Sequence, residues 1–303
     1  MPLRVVTNSF LVAESLQKHP RVEMFFLGGW YNVESQVPSG RPFLEKPMGV
    51  SIEECLELKA LAEERGCVLQ IGHMKRFDEG LQYAKQFCAE KMGDITTYKG
   101  WYCDSVGHYT LTDNCVPVLY ASDSAKKPVG NPKAVLDHYY LLGHGSHLFD
   151  TALYLVGDIA RVSARYRHSG TLHSWLIDCD FANGAIGTLD LSIAIAQRWH
   201  EGGEIYGSDG TVFAEIFNPW ELRAADVKCY DRATDMILSP AAYDGHSYRR
   251  EIEEFADVIL DGKPMIGANA DDGMMVMRAL IATYASVQNG GKWVDLKDAK
   301  GAL

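Results

Sequence analysis

Short apolar runs alternate with amphipathic stretches through the first third of the chain, and the pattern then changes. Residues 3–6 (LRVV) and 22–27 (VEMFFL) read as short buried strands, with residues 10–19 between them as a helix stopped by Pro20. After a loop containing Pro38, Ser39 and Gly40, the run Pro42-Phe43-Leu44 leads into Glu45-Lys46-Pro47. Ser51 with Glu54 three residues later predicts a capping box, opening a helix that ends at Gly66. Residues 68–72 (VLQIG) form the next expected strand, and Asp78 to Lys91 a helix closed by Gly93. Strands alternating with helices in this way point to a parallel α/β sheet.

From Asp94 onward period-two alternation takes over. It runs through residues 95–103 (ITTYKGWYC), 160–168 (ARVSARYRH), 174–182 (SWLIDCDFA) and 185–196 (AIGTLDLSIAIA). Asn183-Gly184 marks a hairpin turn, and Ser208-Asp209-Gly210 joins two further strands. Helices are expected around His147 to Val156, Ser247 to Leu260 and Asp271 to Gln288. The second half therefore reads as an open, largely antiparallel sheet with helices, and a boundary falls near Gly93. Residues 1–92 make one domain and 93–303 the other.

Composition narrows the partners. At 303 residues the chain is long enough for two cores, and its hydrophobic share of 47% is ordinary for a globular protein. A net charge of −11, with scattered lysines and arginines, argues against nucleic acid. No apolar run reaches membrane-spanning length, and the N-terminus lacks a secretory layout, so a cytoplasmic location and no membrane partner are expected. The seven cysteines are odd in number and form no CxxC pair, which suits reduced thiols.

Three segments carry candidate chemistry. In residues 43–51 (FLEKPMGVS), Lys46 stands at a strand end, where ligand crevices of such sheets lie and where an ammonium can orient a hydroxyl. Taken alone, Glu-Lys-Pro is more often a solvated turn. In residues 143–157 (GHGSHLFDTALYLVG), His147 and Asp150 share a helical face, and His147 is suited to proton transfer; a histidine satisfied at a helix cap has the same spacing. His144, His147 and Asp150 could also ligate a metal, but no HExxH-type signature accompanies them and no metal is expected. In residues 71–80 (IGHMKRFDEG), His73, Lys75 and Arg76 could face a polyhydroxylated ligand, or lie at the surface beside the Asp78 cap.

Taken in order, EKP, a capped helix, a strand, GHxxRFD, GxHxxD and a late EIYGSDGT resemble the Gfo/Idh/MocA oxidoreductases, from about Arg41 to Leu296. The resemblance implies a Rossmann-like domain followed by an open-sheet α/β domain. It also implies hydride transfer between NAD or NADP and a secondary alcohol or ketone of a carbohydrate-like compound. By the same resemblance Lys46 and His147 are catalytic, Glu45, Lys46 and Pro47 lie against the cofactor, and His73, Arg76, His144 and Asp150 face the substrate. Lys46 and His147 should then share one pocket, with His144 and Asp150 supporting His147. Members commonly place an aspartate four residues before the histidine; Gly143 stands there, with His144 beside it as a substitute. A homodimer or homotetramer, closed over one sheet face, is also expected.

The N-terminus departs from that family. LRVV is followed by Thr7-Asn8-Ser9-Phe10, without the GxGxxG loop that lets a backbone approach pyrophosphate. The second strand ends in Gly28-Gly29-Trp30, with no carboxylate for a ribose. A shortened nucleotide-binding domain and weak dinucleotide binding follow as expectations. Two other readings remain open at this point: a cofactor-free acid–base enzyme (epimerase, lyase or hydrolase) on a keto-sugar, and a non-catalytic ligand-binding relative.

Overall fold

The computed structural model describes residues 3–7, 22–26, 43–105 and 135–303. The helix expected over residues 10–19, the loop at 8–10, the glycines at 28–29, residues 38–42 and Cys115 lie outside that set. Strand β1 (Leu3–Thr7) pairs in parallel with β2 (Val22–Phe26), Leu3 opposite Val22. In a second parallel pair, β3 (Phe43–Glu45) meets β4 (Gln70–Gly72), Phe43 opposite Gln70. The connection between these two strands carries helix α1 (Ile52–Glu64), as a parallel pair requires a crossover.

The start of α1 corrects one expectation. Ser51 Oγ accepts from Glu54 N at 3.0 Å, but the Glu54 carboxylate accepts from Val50 N at 2.8 Å, so this pair spans one residue more than a reciprocal capping box. The chain's last residues lie against this turn: Leu303 N donates to Val50 O and Ile52 N to Gly301 O. A full capping box occurs elsewhere, where Asn269 and Asp272 open the last long helix.

Helix α2 (Glu79–Lys91) is capped by Asp78, which accepts from Leu81 N at 3.0 Å. Gly93 then turns the chain into the large sheet. Its φ is +63°, and a Cβ there would come within 2.1 Å of Ser208 Oγ, so conformation and space both require glycine.

The large sheet has nine strands in the order β12-β11-β10-β9-β5-β8-β7-β6-β13. At its centre β5 (Ile95–Ser105) runs parallel to β8 (Ile186–Ile195) and antiparallel to β9 (His200–Gly207). Strands β6 (Ile159–Ser169) and β7 (Leu172–Phe181) continue from β8 as antiparallel neighbours, and the short β13 (Val294–Asp295) closes that edge. On the other side β10 (Gly210–Ile216), β11 (Asp226–Asp231) and β12 (Met236–Leu238) form a meander. Every pairing except β5 with β8 is antiparallel, as the alternation predicts.

That alternation decides the two faces. Along β7, Trp175, Ile177, Cys179 and Phe181 are buried while Leu176 is half exposed. The buried face receives α2, α4 (Ser146–Leu155) and α6 (Ala270–Gln288). Its core runs without a break from Met48 and Ile71 through Phe149 and Leu189 to Met277 and Leu280. Each such side chain contributes about 1.5–3 kcal/mol by leaving water. Helix α4 does not start at His147 as a fresh helix. A short helix α3 (Leu136–Tyr140) and a π-helical turn (Leu141–Gly145) precede it without a break. Helix α5 (Ser247–Asp261) packs beside the 3-10 turn Met74–Phe77. Among the described residues no helix is long and apolar enough to cross a membrane.

Candidate functional site

Lys46 immediately follows β3, and the Lys46–Pro47 peptide is cis. Its ammonium turns toward the π-helical turn and donates to the Gly143 carbonyl at 2.5 Å. Ser146 Oγ donates to the same carbonyl at 3.2 Å. A π-helical turn leaves main-chain carbonyls off the regular ladder and is often found at functional sites. Burial lowers the Lys46 pKa to about 8; the nearby Glu45 pushes it up and Lys75 down. Among the described residues, a Cβ on Gly143 would meet nothing within 4 Å.

His147 follows one turn later on α4. Its ring stacks flat on Tyr102 of β5, with centroids 5.7 Å apart. Burial, then the charges of Lys46, Lys75, His73 and His144, hold its pKa well below the usual imidazole value. It is a neutral imidazole at physiological pH. The influence of Lys46 on His147, and the bond from Lys46 to the preceding turn, bring these two residues to one place. His144 meets the hydroxyl end of Tyr102, its Nδ1 3.4 Å from the Tyr102 hydroxyl and 3.3 Å from Asp104 Oδ2.

Asp150 faces a different partner from the one its helical spacing suggests. It accepts from Arg76 Nε at 3.0 Å and Nη2 at 2.8 Å, and lies 3.7 Å from His73 Nδ1. Arg76 also pairs with Asp272 at 3.2 Å. Burial works against the guanidinium charge, but Asp150 and Asp272 outweigh it and hold the Arg76 pKa above its ordinary value. His73 is lowered to about 4, first by burial and then by Arg76 and Lys46, with Asp150 opposing. Lys75 contacts Glu201, and its ammonium sits 4.5 Å above the Tyr102 ring. Burial drives Lys75 down and Glu201 up, and their contact counters both shifts.

A third group lies beneath the EKP segment. Glu251 of α5 is 1% exposed, and burial, then Glu45 and Asp150, raise its pKa well above the carboxylate range. Glu45 is raised by burial, with Lys46 opposing. Among the described residues, both ring nitrogens of His73, both amide atoms of Gln70 and Oε1 of Glu251 have no hydrogen-bond partner. Of these, His73 directly follows the C-terminal end of β4, where a parallel sheet offers its ligand crevice, whereas Gln70 begins that strand and Glu251 lies on α5. His73 thus adds an unpartnered polar group next to Glu45, Lys46 and Pro47, the residues expected to lie against a dinucleotide. The loop that would meet its pyrophosphate lies outside the described residues. Among those residues no cluster of three or more His, Cys, Asp or Glu could hold a metal.

The structure thus brings together Lys46, His147, His144 and His73, and binds Arg76 to Asp150 as a buried pair. Sequence reasoning missed Tyr102, Asp104, Glu201 and Glu251. Residues 89–213 match the family model of the GFO/IDH/MocA C-terminal domain. That match covers 125 of the 303 residues, where the large sheet begins. A scyllo-inositol 2-dehydrogenase (NAD(+)) of Bacillus subtilis strain 168 is 24% identical over 258 residues, 82% of this chain and 68% of that protein. In fold, the chain is similar to an NAD binding oxidoreductase from Klebsiella pneumoniae, with TM-score 0.69 at 17% identity, covering 97% of this chain and 89% of that one. It is also similar to GenD2 from gentamicin A biosynthesis in complex with NAD, with TM-score 0.66 at 20% identity, covering 97% and 88% of the two chains.

Proposed function

We propose that this chain is an oxidoreductase that moves hydride between NAD or NADP and a secondary alcohol or ketone of a carbohydrate-like compound. The observation that carries the reading is the placement of Lys46 at the end of β3, bonded to the Gly143 carbonyl beside a neutral His147. The bound nicotinamide would supply the hydride acceptor. Lys46, with a pKa of about 8, would donate to the substrate oxygen and stabilise the charge that develops there. His147, held neutral, would accept a hydrogen bond from the hydroxyl and fix its orientation. The family and the inositol dehydrogenase relative support a polyol or sugar substrate over the cofactor-free reading.

The same reading divides the chain near Gly93. Residues 1–92 would hold the dinucleotide, and residues 93–303 would hold the substrate and form contacts between copies. The exposed sheet face supports the second role, since Leu176, Ile186 and Phe213 stand out on strands whose other face is core. A homodimer or homotetramer in the cytoplasm is part of the proposal, and six free cysteines among the described residues suit a reducing compartment.

The test is to mix the purified chain with NAD or NADP and a panel of inositols, aldoses and sugar acids, following nicotinamide reduction. Turnover with one polyol is expected. Dinucleotide affinity should be weak, in the high micromolar range, because the sequence lacks the glycine-rich loop. If no compound is oxidised and NADH at millimolar concentration leaves the tryptophan fluorescence unchanged, the reading fails.

A further inference from the structure

One main-chain carbonyl of the site serves two side chains. Gly143 O, in the π-helical turn, accepts from Lys46 Nζ at 2.5 Å and from Ser146 Oγ at 3.2 Å. A carbonyl oxygen has two lone pairs and can take both donors. Among the described residues, neither side chain makes a hydrogen bond to anything else. Ser146 is fully buried, so its hydroxyl cannot turn to water instead. A serine hydroxyl bonded to a carbonyl one turn back is common in helices. Thr151 makes such a bond further along α4, donating to His147 O at 2.9 Å, and no second side chain of the described residues shares that carbonyl. The Gly143 carbonyl differs, because it also holds a buried ammonium from a strand end 97 residues away in sequence.

We propose that Ser146 is a positioning residue of this site, fixing the Gly143 carbonyl that directs the Lys46 ammonium. The proposal rests on the oxidoreductase reading above and adds a residue that acts through Lys46. An ammonium carries three N–H donors. With one placed on Gly143 O, two are left for the substrate oxygen, and their direction follows from where the carbonyl points. Glycine permits more backbone conformations than any other residue, so the Gly143 carbonyl gains most from a tether. Ser146 supplies that tether from the first residue of α4, one position before His147. One turn of backbone therefore sets both the direction of Lys46 and the start of the helix that carries His147. The hydroxyl has a second effect. Its O–H dipole shares the carbonyl oxygen with the ammonium and weakens the hold on the charged form, acting in the same sense as burial, which brings the Lys46 pKa to about 8.

The experiment uses the whole chain, first without cofactor or substrate. Protein labelled with carbon-13 at the lysine Cε atoms is titrated by NMR, with Lys46 assigned by Lys46→Met. In Ser146→Ala the carbonyl is left to the ammonium alone, and the Lys46 titration should rise by about half a unit. Ser146→Thr keeps the hydroxyl and should return the titration to the parent value. An unmoved or lowered titration in Ser146→Ala overturns the proposal. The second measurement is steady-state turnover of a polyol that the parent oxidises. Ser146→Ala should lower kcat by about tenfold and leave KM within about twofold, since a misdirected ammonium costs orientation rather than binding. The alkaline limb of its pH–rate profile should move up together with the Lys46 titration. A kcat within about twofold of the parent overturns the proposal, because loss of orientation costs more than that. So does a Ser146→Ala protein that loses stability in urea while its Lys46 titration stays in place, which would make Ser146 an ordinary helix contact. If Ser146→Thr does not fold, the titration of Ser146→Ala decides alone. A parent protein that oxidises no polyol defeats the oxidoreductase reading, and the Lys46 titration then still judges the link from Ser146 to Lys46.

Discussion

One buried polar cluster has two ends that hold similar side chains in different ways. At one end Arg76 is closed by Asp150 and Asp272, and Lys75 by Glu201. At the other, Lys46 has a main-chain carbonyl as its acceptor, and His147 is kept neutral by burial and then by the cations around it. Pairing a buried charge fully fixes its place and uses up its capacity to act on anything else. Lys46, bonded to a weaker acceptor and with its pKa lowered to about 8, keeps that capacity. The comparison assigns positioning to the first end and chemistry to the second.

The largest effect should separate the two ends outright. Lys46→Met removes a buried ammonium and the charge that faces the substrate oxygen. Turnover should fall by about 10²–10⁴, while urea unfolding shows no loss of stability. A variant that loses stability and activity together would place Lys46 in the structural end. Arg76→Met should behave in the opposite sense, leaving Asp150 buried without its partner at a cost of about 3–5 kcal/mol in the same unfolding measurement. Near-parental stability there would mean that water already screens the pair.

The pH dependence of stability sharpens the contrast. His73 has a folded pKa of about 4 against an ordinary value near 6.5. Between those limits the unfolded chain binds the proton and the folded chain does not, so stability falls as pH drops through that window. One histidine with such a shift contributes about 3 kcal/mol. His73→Gln should therefore flatten the unfolding free energy between pH 6.5 and 4 relative to the parent. A parallel fall in both proteins would show that His73 is protonated in the fold. Glu251 has the reverse sign. Its folded pKa is raised, so above the ordinary carboxylate value the unfolded chain releases a proton that the fold keeps. Stability declines as pH rises, and Glu251→Gln should remove that decline and stabilise the chain at pH 8 by on the order of 1 kcal/mol. A destabilised variant would mean that the carboxyl makes a bond glutamine cannot replace.

The order of elements was legible because its signals are local. Ser51 and Asp78 are caps, Gly93 and Asn183-Gly184 are turns, and β5 to β8 alternate cleanly. Lys46 and His147 could be paired only through the order of motifs, since 100 residues lie between them along the chain. What escaped depends on register and long-range charge. Tyr102 and Asp104 sit in an alternating strand where such residues look like ordinary sheet positions. Glu201 lies opposite Tyr102 only because β5 and β9 pair in that register. The i, i+3 spacing of His147 and Asp150 suggested a local partnership, and a guanidinium from another element proved the stronger attraction for the carboxylate. The helix expected from about His147 is preceded without a break by a π-helical turn through Gly143 and Gly145.

The central claim is that hydride leaves a carbohydrate-like carbon at the Lys46 end of the cluster. It is tested most directly by a single-turnover reaction with inositol deuterated at its carbinol carbons, read by mass spectrometry of the nicotinamide. The account predicts one deuterium on the reduced cofactor and a slowed step relative to unlabelled substrate, both lost in Lys46→Met. An unlabelled cofactor alongside a converted sugar would contradict it and move the chain to acid–base chemistry without redox.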